Sequence, residues 1–133
     1  MRLAVQWEGR PARAVTTVEE LDVLLESIER AGRPVLVDLF DPERDDPWGD
    51  RVLIQIGVGH PDRSFVMFDA DAAWGVEPGT PPASDPIWFD YGGTPTEFGP
   101  TRTRVSPAVA REAAREFVAR DGGRPTCVEW TLV

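Results

Sequence analysis

The sequence holds one histidine, His60, and one cysteine, Cys127, so nucleophilic and metal chemistry must start from these two. His60 sits in Gly59-His60-Pro61-Asp62-Arg63, a run of turn residues. General-base work needs an orienting partner and a pocket, and the sequence marks neither, so His60 reads as a solvated turn residue. Cys127 lies in a β-prone run between Thr126 and Val128. It reads as a small buried hydrophobe, since a nucleophilic thiol needs a histidine or a helix terminus beside it. One His and one Cys do not make a structural zinc site. The run Asp41-Pro42-Glu43-Arg44-Asp45-Asp46-Pro47-Trp48-Gly49-Asp50 has carboxylates enough for weak calcium binding. It lacks the glycine placement and the closing glutamate of a calcium-binding hand. No glycine-rich phosphate loop is present. Pairs of carboxylates suited to acid–base work arise by chance in so acidic a segment. The expectation is a protein without catalytic residues, metal or cofactor.

The charge distribution says more. Of 133 residues, 23 are acidic and 14 basic, a net charge of −9. Residues 38–97 carry 13 acids and 3 arginines, so the excess lies entirely in the middle of the chain. Such a field repels nucleic acid and anionic membrane and attracts a basic protein. The plainer reading, that acidic surfaces keep proteins soluble, explains the sign equally well. Two tryptophans, Trp48 and Trp74, fall in the acidic stretches Asp41–Asp50 and Asp69–Asp85. A tryptophan there either folds back on the core or projects as an interface anchor. Trp7, Trp88 and Trp130 fall in strand-like runs and are expected in the core. The candidate partner-binding residues are Glu43, Asp45, Asp46, Trp48 and Asp50, with Asp71 and Trp74 as a second contact point.

These residues need elements to hold them. A chain of this length with 41% hydrophobic and 28% charged residues fits one ordinary domain over 1–133 with its own core. No apolar run is long enough for a membrane span, and residues 1–8 lack a signal-peptide apolar region. With a single cysteine, this favours a cytoplasmic protein. All 14 basic residues are arginine, and lysine and asparagine are absent, as expected of a GC-rich bacterial genome.

Leu3, Val5 and Trp7 alternate as a strand. Thr17-Val18-Glu19-Glu20 is a capping box, and Val18, Leu21, Leu24, Leu25 and Ile28 follow at helical spacing until Gly32 and Pro34. Residues 34–40 predict a buried strand. Residues 51–58 and 64–68 predict a hairpin around a five-residue loop. Residues 69–85 predict a long loop containing at most one brief strand. Residues 87–91 form another strand, with 96–98 placed to pair back on it across Gly92-Gly93. Ser106-Pro107 opens a helix whose Ala110, Ala113, Ala114, Phe117 and Val118 share a face. Residues 126–132 close the chain as a strand. The order β-α-β-β-β-β-α-β predicts an α+β fold, with one antiparallel sheet of five to six strands and two helices packed on one face.

Asp90-Tyr91-Gly92-Gly93-Thr94-Pro95-Thr96-Glu97-Phe98 resembles the aromatic–Gly-Gly–Glu-Phe segment of immunity protein family one of bacterial polymorphic toxin systems. Val105-Ser106-Pro107, Ala110 to Phe117, Gly123-Arg124-Pro125 and Val128-Glu129-Trp130 are similar to that family's closing helix and last strand. Residues 54–59 and 64–66 are similar to its central hairpin. The likeness covers the last two-thirds of the chain, and the first third matches in general layout. It implies a cytoplasmic antidote that binds a toxin domain made beside it, often a nucleic-acid deaminase with a zinc-activated water. It also implies that Gly92-Gly93, Phe117 and Trp130 maintain the fold. The loops, 41–51 and 69–86, depart from the family pattern and would set partner choice. An acidic interaction module without a toxin, or a small carboxylate-dependent hydrolase, are the alternatives that the residues leave open.

Overall fold

A computed structural model describes residues 2–44 and 52–132, the side chain of Asp71 apart. In chain order the strands and helices are β1 (Leu3–Trp7), β2 (Arg13–Val15), α1 (Val18–Arg30), β3 (Val35–Phe40), β4 (Leu53–Val58), β5 (Val66–Phe68), β6 (Ala73–Val76), β7 (Ile87–Tyr91), β8 (Thr94–Phe98), α2 (Pro107–Ala119) and β9 (Glu129–Thr131). Seven strands form an antiparallel path in the order β2-β1-β3-β4-β5-β6-β9. β7 and β8 form a hairpin that joins β3 through one parallel bridge, Val35↔Asp90.

The class is α+β, as expected, but nine strands replace the expected five or six. The extra ones are short. β2 has three residues, two of them exposed, and so shows no period to read. β6 is the one brief strand for which residues 69–85 left room, and β8 pairs with β7 over its full length. The expected strand 64–68 begins only at Val66. Ser64 instead bridges Val105, donating its N–H to that carbonyl at 2.9 Å, and Phe65 turns away from the helices. β9 is also shorter than residues 126–132, because Thr126 and Cys127 donate to Glu116 of α2 rather than to a neighbouring strand.

Both helices start where their caps predict. Thr17 Oγ1 accepts the Glu20 N–H at 3.2 Å, and Ser106 Oγ accepts the Val109 N–H at 3.2 Å. The reciprocal arm of the capping box differs by one residue: Glu20 reaches the Thr16 N–H and Thr16 hydroxyl. α1 buries Leu21, Leu24, Leu25 and Ile28, and α2 buries Ala110, Ala113, Ala114, Phe117 and Val118. Both pack on the sheet residues Val5, Val37, Leu39, Ile54, Ile56 and Val66 in one continuous core. Small alanines bring α2 close, and Arg111 ties the helices by donating to the Asp22 carbonyl (3.0 Å) and Glu29 Oε2 (3.4 Å).

Side chains alternate across a strand, so Leu36, between Val35 and Val37, leaves by the opposite face. There it joins a second cluster, Leu36, Phe65, Phe89 and Phe98, with Trp74 and Ile87 at its margin. Phe65 stacks on Phe98 with centroids 4.3 Å apart and meets Phe89 edge-on at 5.1 Å. Gly57, paired with Leu36, has the Phe89 ring where a side chain would stand: a Cβ would fall 2.5 Å from its nearest carbon. The β7–β8 hairpin therefore lies down on the helix-free face of the sheet.

Candidate partner-binding surface

Among the described residues, the β7–β8 hairpin covers only part of the helix-free face. Beyond the aromatic cluster, Gln6, Asp38 and Gln55 stand in register across β1, β3 and β4, and Gln55 Nε2 donates to Asp38 Oδ1 at 2.8 Å. With Phe40, Leu53 and Asp69 they floor a depression of about 340 Å3, walled by Tyr91 at the hairpin tip. Asp38 and Asp69 have further partners of their own. The first acidic loop springs from this end of the sheet. Asp41 donates its N–H to the Val52 carbonyl (3.0 Å), and its buried carboxylate accepts the Glu43 N–H (3.0 Å). This Asx turn presents Glu43 to solvent on a single 3-10 turn, Pro42–Arg44. Asp45, Asp46, Trp48 and Asp50 lie outside the described residues.

The second contact point is rearranged relative to expectation. Asp71 belongs to the 3-10 turn Asp69–Asp71 between β5 and β6. Trp74 is in strand β6, not in a loop, and is half-buried. Its ring packs on Phe65 (5.9 Å) and Phe98 (6.2 Å), and the Arg102 guanidinium lies 4.7 Å from its centroid. The expectation for Trp88 also needs correcting. It is 54% exposed, while Trp7 is buried and Trp130 is half-buried, donating Nε1–H to the Pro125 carbonyl. The alternation of residues 87–91 explains the difference: Ile87 and Phe89 take the inner side, which forces Trp88 outward. Every residue from 87 to 91 but Asp90 is apolar or aromatic, so hydrophobicity alone does not separate the two sides.

The segment 64–101, which holds β5 to β8, has no basic residue and six acids. The arginines that flank it are turned to structural use. Arg63 donates to the carbonyls of Pro81 (2.7 Å) and Thr103 (3.0 Å), and Arg104 donates to Thr80 (3.0 Å). Glu77 adds a carboxylate acceptor for the Ser106 N–H at 2.8 Å. The long loop before β7 is thus pinned at several points.

The candidate reactive groups have structural work. His60 Nδ1 accepts the N–H groups of Asp62 (3.1 Å) and Arg63 (3.0 Å), closing its turn. Burial pushes the Cys127 thiol up to about 11, assisted by the negative charge of Glu116 and a hydrogen bond to it. A thiol held protonated is a poor nucleophile. Burial works against the ionised Glu116, but hydrogen bonds from the Thr126 side chain and N–H, Arg120 and the Cys127 N–H outweigh it and hold the carboxyl below its ordinary range. Among the described residues, no group of three or more His, Cys, Asp or Glu is placed to hold a metal ion. No described helix is long and apolar enough to cross a membrane.

The helix-free face thus combines a polar row, Gln6, Asp38 and Gln55, with an aromatic cluster under the β7–β8 hairpin. The family profile of immunity protein Imm1 matches residues 9–132, and the chain belongs to that family. The match takes in most of the first third, where the sequence alone had suggested only a common layout. No curated protein matches the chain.

Proposed function

We propose that this immunity protein neutralises a basic toxin domain by covering its substrate groove, and that the toxin is a nucleic-acid deaminase working through a zinc-activated water. Such an enzyme must admit a polyanion, so its groove is cationic, and an acidic protein surface competes for it. The antidote acts in the cytoplasm by binding alone, with no cofactor and no turnover, and touches neither nucleic acid nor membrane. The observation that carries this reading is the run of 38 residues, 64–101, with six acids and no basic residue, in a chain of an immunity-protein family. Glu43, Asp45, Asp46, Trp48 and Asp50 form the first contact, and Asp71 and Trp74 the second.

The test uses the toxin domain encoded beside this gene, in an inactivated form for binding and an active form for protection of cells. Reversing Asp45 and Asp46 to arginine is expected to slow association about tenfold or more and to flatten its salt dependence, because rim charges act on the on-rate. Unchanged association and full protection would reduce the loop to a solubility device. Absence of a neighbouring toxin gene would favour an interaction module instead. Hydrolysis by the purified protein, lost on changing a central carboxylate, would favour the enzyme reading.

A further inference from the structure

The β7–β8 hairpin carries Trp88, the most exposed aromatic side chain of the described residues, on a face that leaves it 54% exposed among them. Residues directly opposite in an antiparallel pair point the same way, and Trp88 pairs with Glu97 while Asp90 pairs with Pro95. The outer face of the ribbon is therefore Trp88, Asp90, Pro95 and Glu97. Its inner face, Phe89 and Phe98, is buried in the aromatic cluster. Five register pairs run from Ile87↔Phe98 to Tyr91↔Thr94. Gly92 and Gly93 close them at φ +60° and +95°, the left-handed pair that a two-residue hairpin turn requires. The Asp90 N–H donates to the Pro34 carbonyl at 2.9 Å, which fixes the ribbon to the sheet. The outer face is thus held rigid before any partner arrives, so little conformational entropy remains to be lost on binding.

A single exposed tryptophan is ordinary on a protein surface. Here it stands across from a carboxylate, inside a segment without one positive charge. An indole face beside a carboxylate is a receptor for a guanidinium or ammonium group, combining cation–π attraction with an ion pair. The chain builds the first half of this contact within itself, where Arg102 lies over Trp74.

We infer that the outer face of the β7–β8 hairpin is a toxin-gripping surface, with an arginine or lysine of the toxin's basic groove seated between Trp88 and Glu97. The inference rests on the toxin-binding reading and adds the place where the grip is strongest. It shifts the anchor from Trp74, which Arg102 already covers, to Trp88.

The experiment measures affinity for the inactivated toxin domain encoded beside the gene, for the wild type, Trp88→Ala, Glu97→Gln, the double variant and Val23→Ala. Val23 is 70% exposed on α1 and serves as a control on the helix side. Trp88→Ala is expected to weaken binding about 30-fold or more, as central aromatic anchors do, and Glu97→Gln about five- to tenfold. The double variant should lose less than the product of the two, because the residues share one ligand group. Val23→Ala should stay within about twofold. Thermal unfolding of Trp88→Ala should stay close to the wild type, since the ring belongs to neither buried cluster. A wild type that binds, with Trp88→Ala within about threefold of it, overturns the hairpin inference and leaves the toxin reading standing. A wild type that does not bind overturns both. If Trp88→Ala instead abolishes self-association and leaves toxin binding intact, the occupant is a second copy of this chain and the inference falls.

Discussion

One sheet in this protein has two faces built from different materials. The helix side is mostly aliphatic and continuous, with charges paired between the helices, Arg111 with Glu29 and Arg115 with Asp22, and along α1, Arg30 with Glu26. The hairpin side is a small aromatic cluster roofed by one ribbon, set in a segment whose acids have no basic residue among them. Paired charges on the first side leave little field for a partner to feel. The second side holds the six acids of residues 64–101, with Arg102 drawn in from outside that segment over Trp74, and a field from such acids reaches roughly a Debye length, about 8 Å at physiological salt. The proposed division of labour follows this contrast: the helix side holds the fold, and the hairpin side is the surface proposed to steer and hold a cationic partner.

Breaking the helix side should have the largest effect. Phe117 is fully buried under α2, and Phe117→Ala should cost about 3–5 kcal/mol of stability by chemical denaturation. An unfolding midpoint close to the wild type would mean that the second cluster, not the first, carries the fold. Gly57→Ala should come next. Its new Cβ would press on the Phe89 ring, and overpacking of this kind costs about 1–3 kcal/mol. Unlike Phe117→Ala, it should also weaken toxin binding beyond what its unfolded fraction explains, because it lifts the hairpin from the sheet.

Glu116→Gln should cost less, about 1–2 kcal/mol, for the loss of a charged acceptor that ties α2 to residues 126 and 127. Because the folded state holds this carboxyl below its ordinary value of 4.5, its contribution is complete above that pH. It is lost as the pH falls through the lower, folded value. The gap between wild type and variant, followed by denaturation at a series of pH values, should therefore narrow below about pH 4.5. A gap that widens in acid would reverse the sign of the argument. The smallest effect concerns Cys127. With its thiol near 11, about a thousandth is ionised at pH 8, so alkylation of the native protein should be slow there and rise with pH. Rapid alkylation at pH 8 would show an exposed, activated thiol.

The two sides also differ in how far they could be read from sequence. On the helix side, the 3.6-residue spacing of Leu21, Leu24, Leu25 and Ile28 and the caps at Thr17 and Ser106 are local signals, and the helices formed where those signals lie. The hairpin turn at Gly92-Gly93 was legible for the same reason. The aromatic cluster was not, because Phe65, Trp74, Phe89 and Phe98 come from separate strands and loops and meet only after the sheet has formed. Trp88 was misplaced because it was read from its immediate neighbours, while its exposure depends on which side of the ribbon this cluster occupies; Trp74, left open between core and surface, folds back on the cluster from β6. The row Gln6, Asp38 and Gln55 belongs to three strands and has no signature within any one of them.

Hydrogen exchange of the free protein against its complex with the inactivated neighbouring toxin domain tests the division between the two sides most directly. Protection should appear at residues 87–98 and at the neighbouring ends of β3 and β4, with the amides of α1 and α2 unchanged. Protection concentrated on α1 and α2, with the hairpin exchanging as in the free protein, would contradict the account.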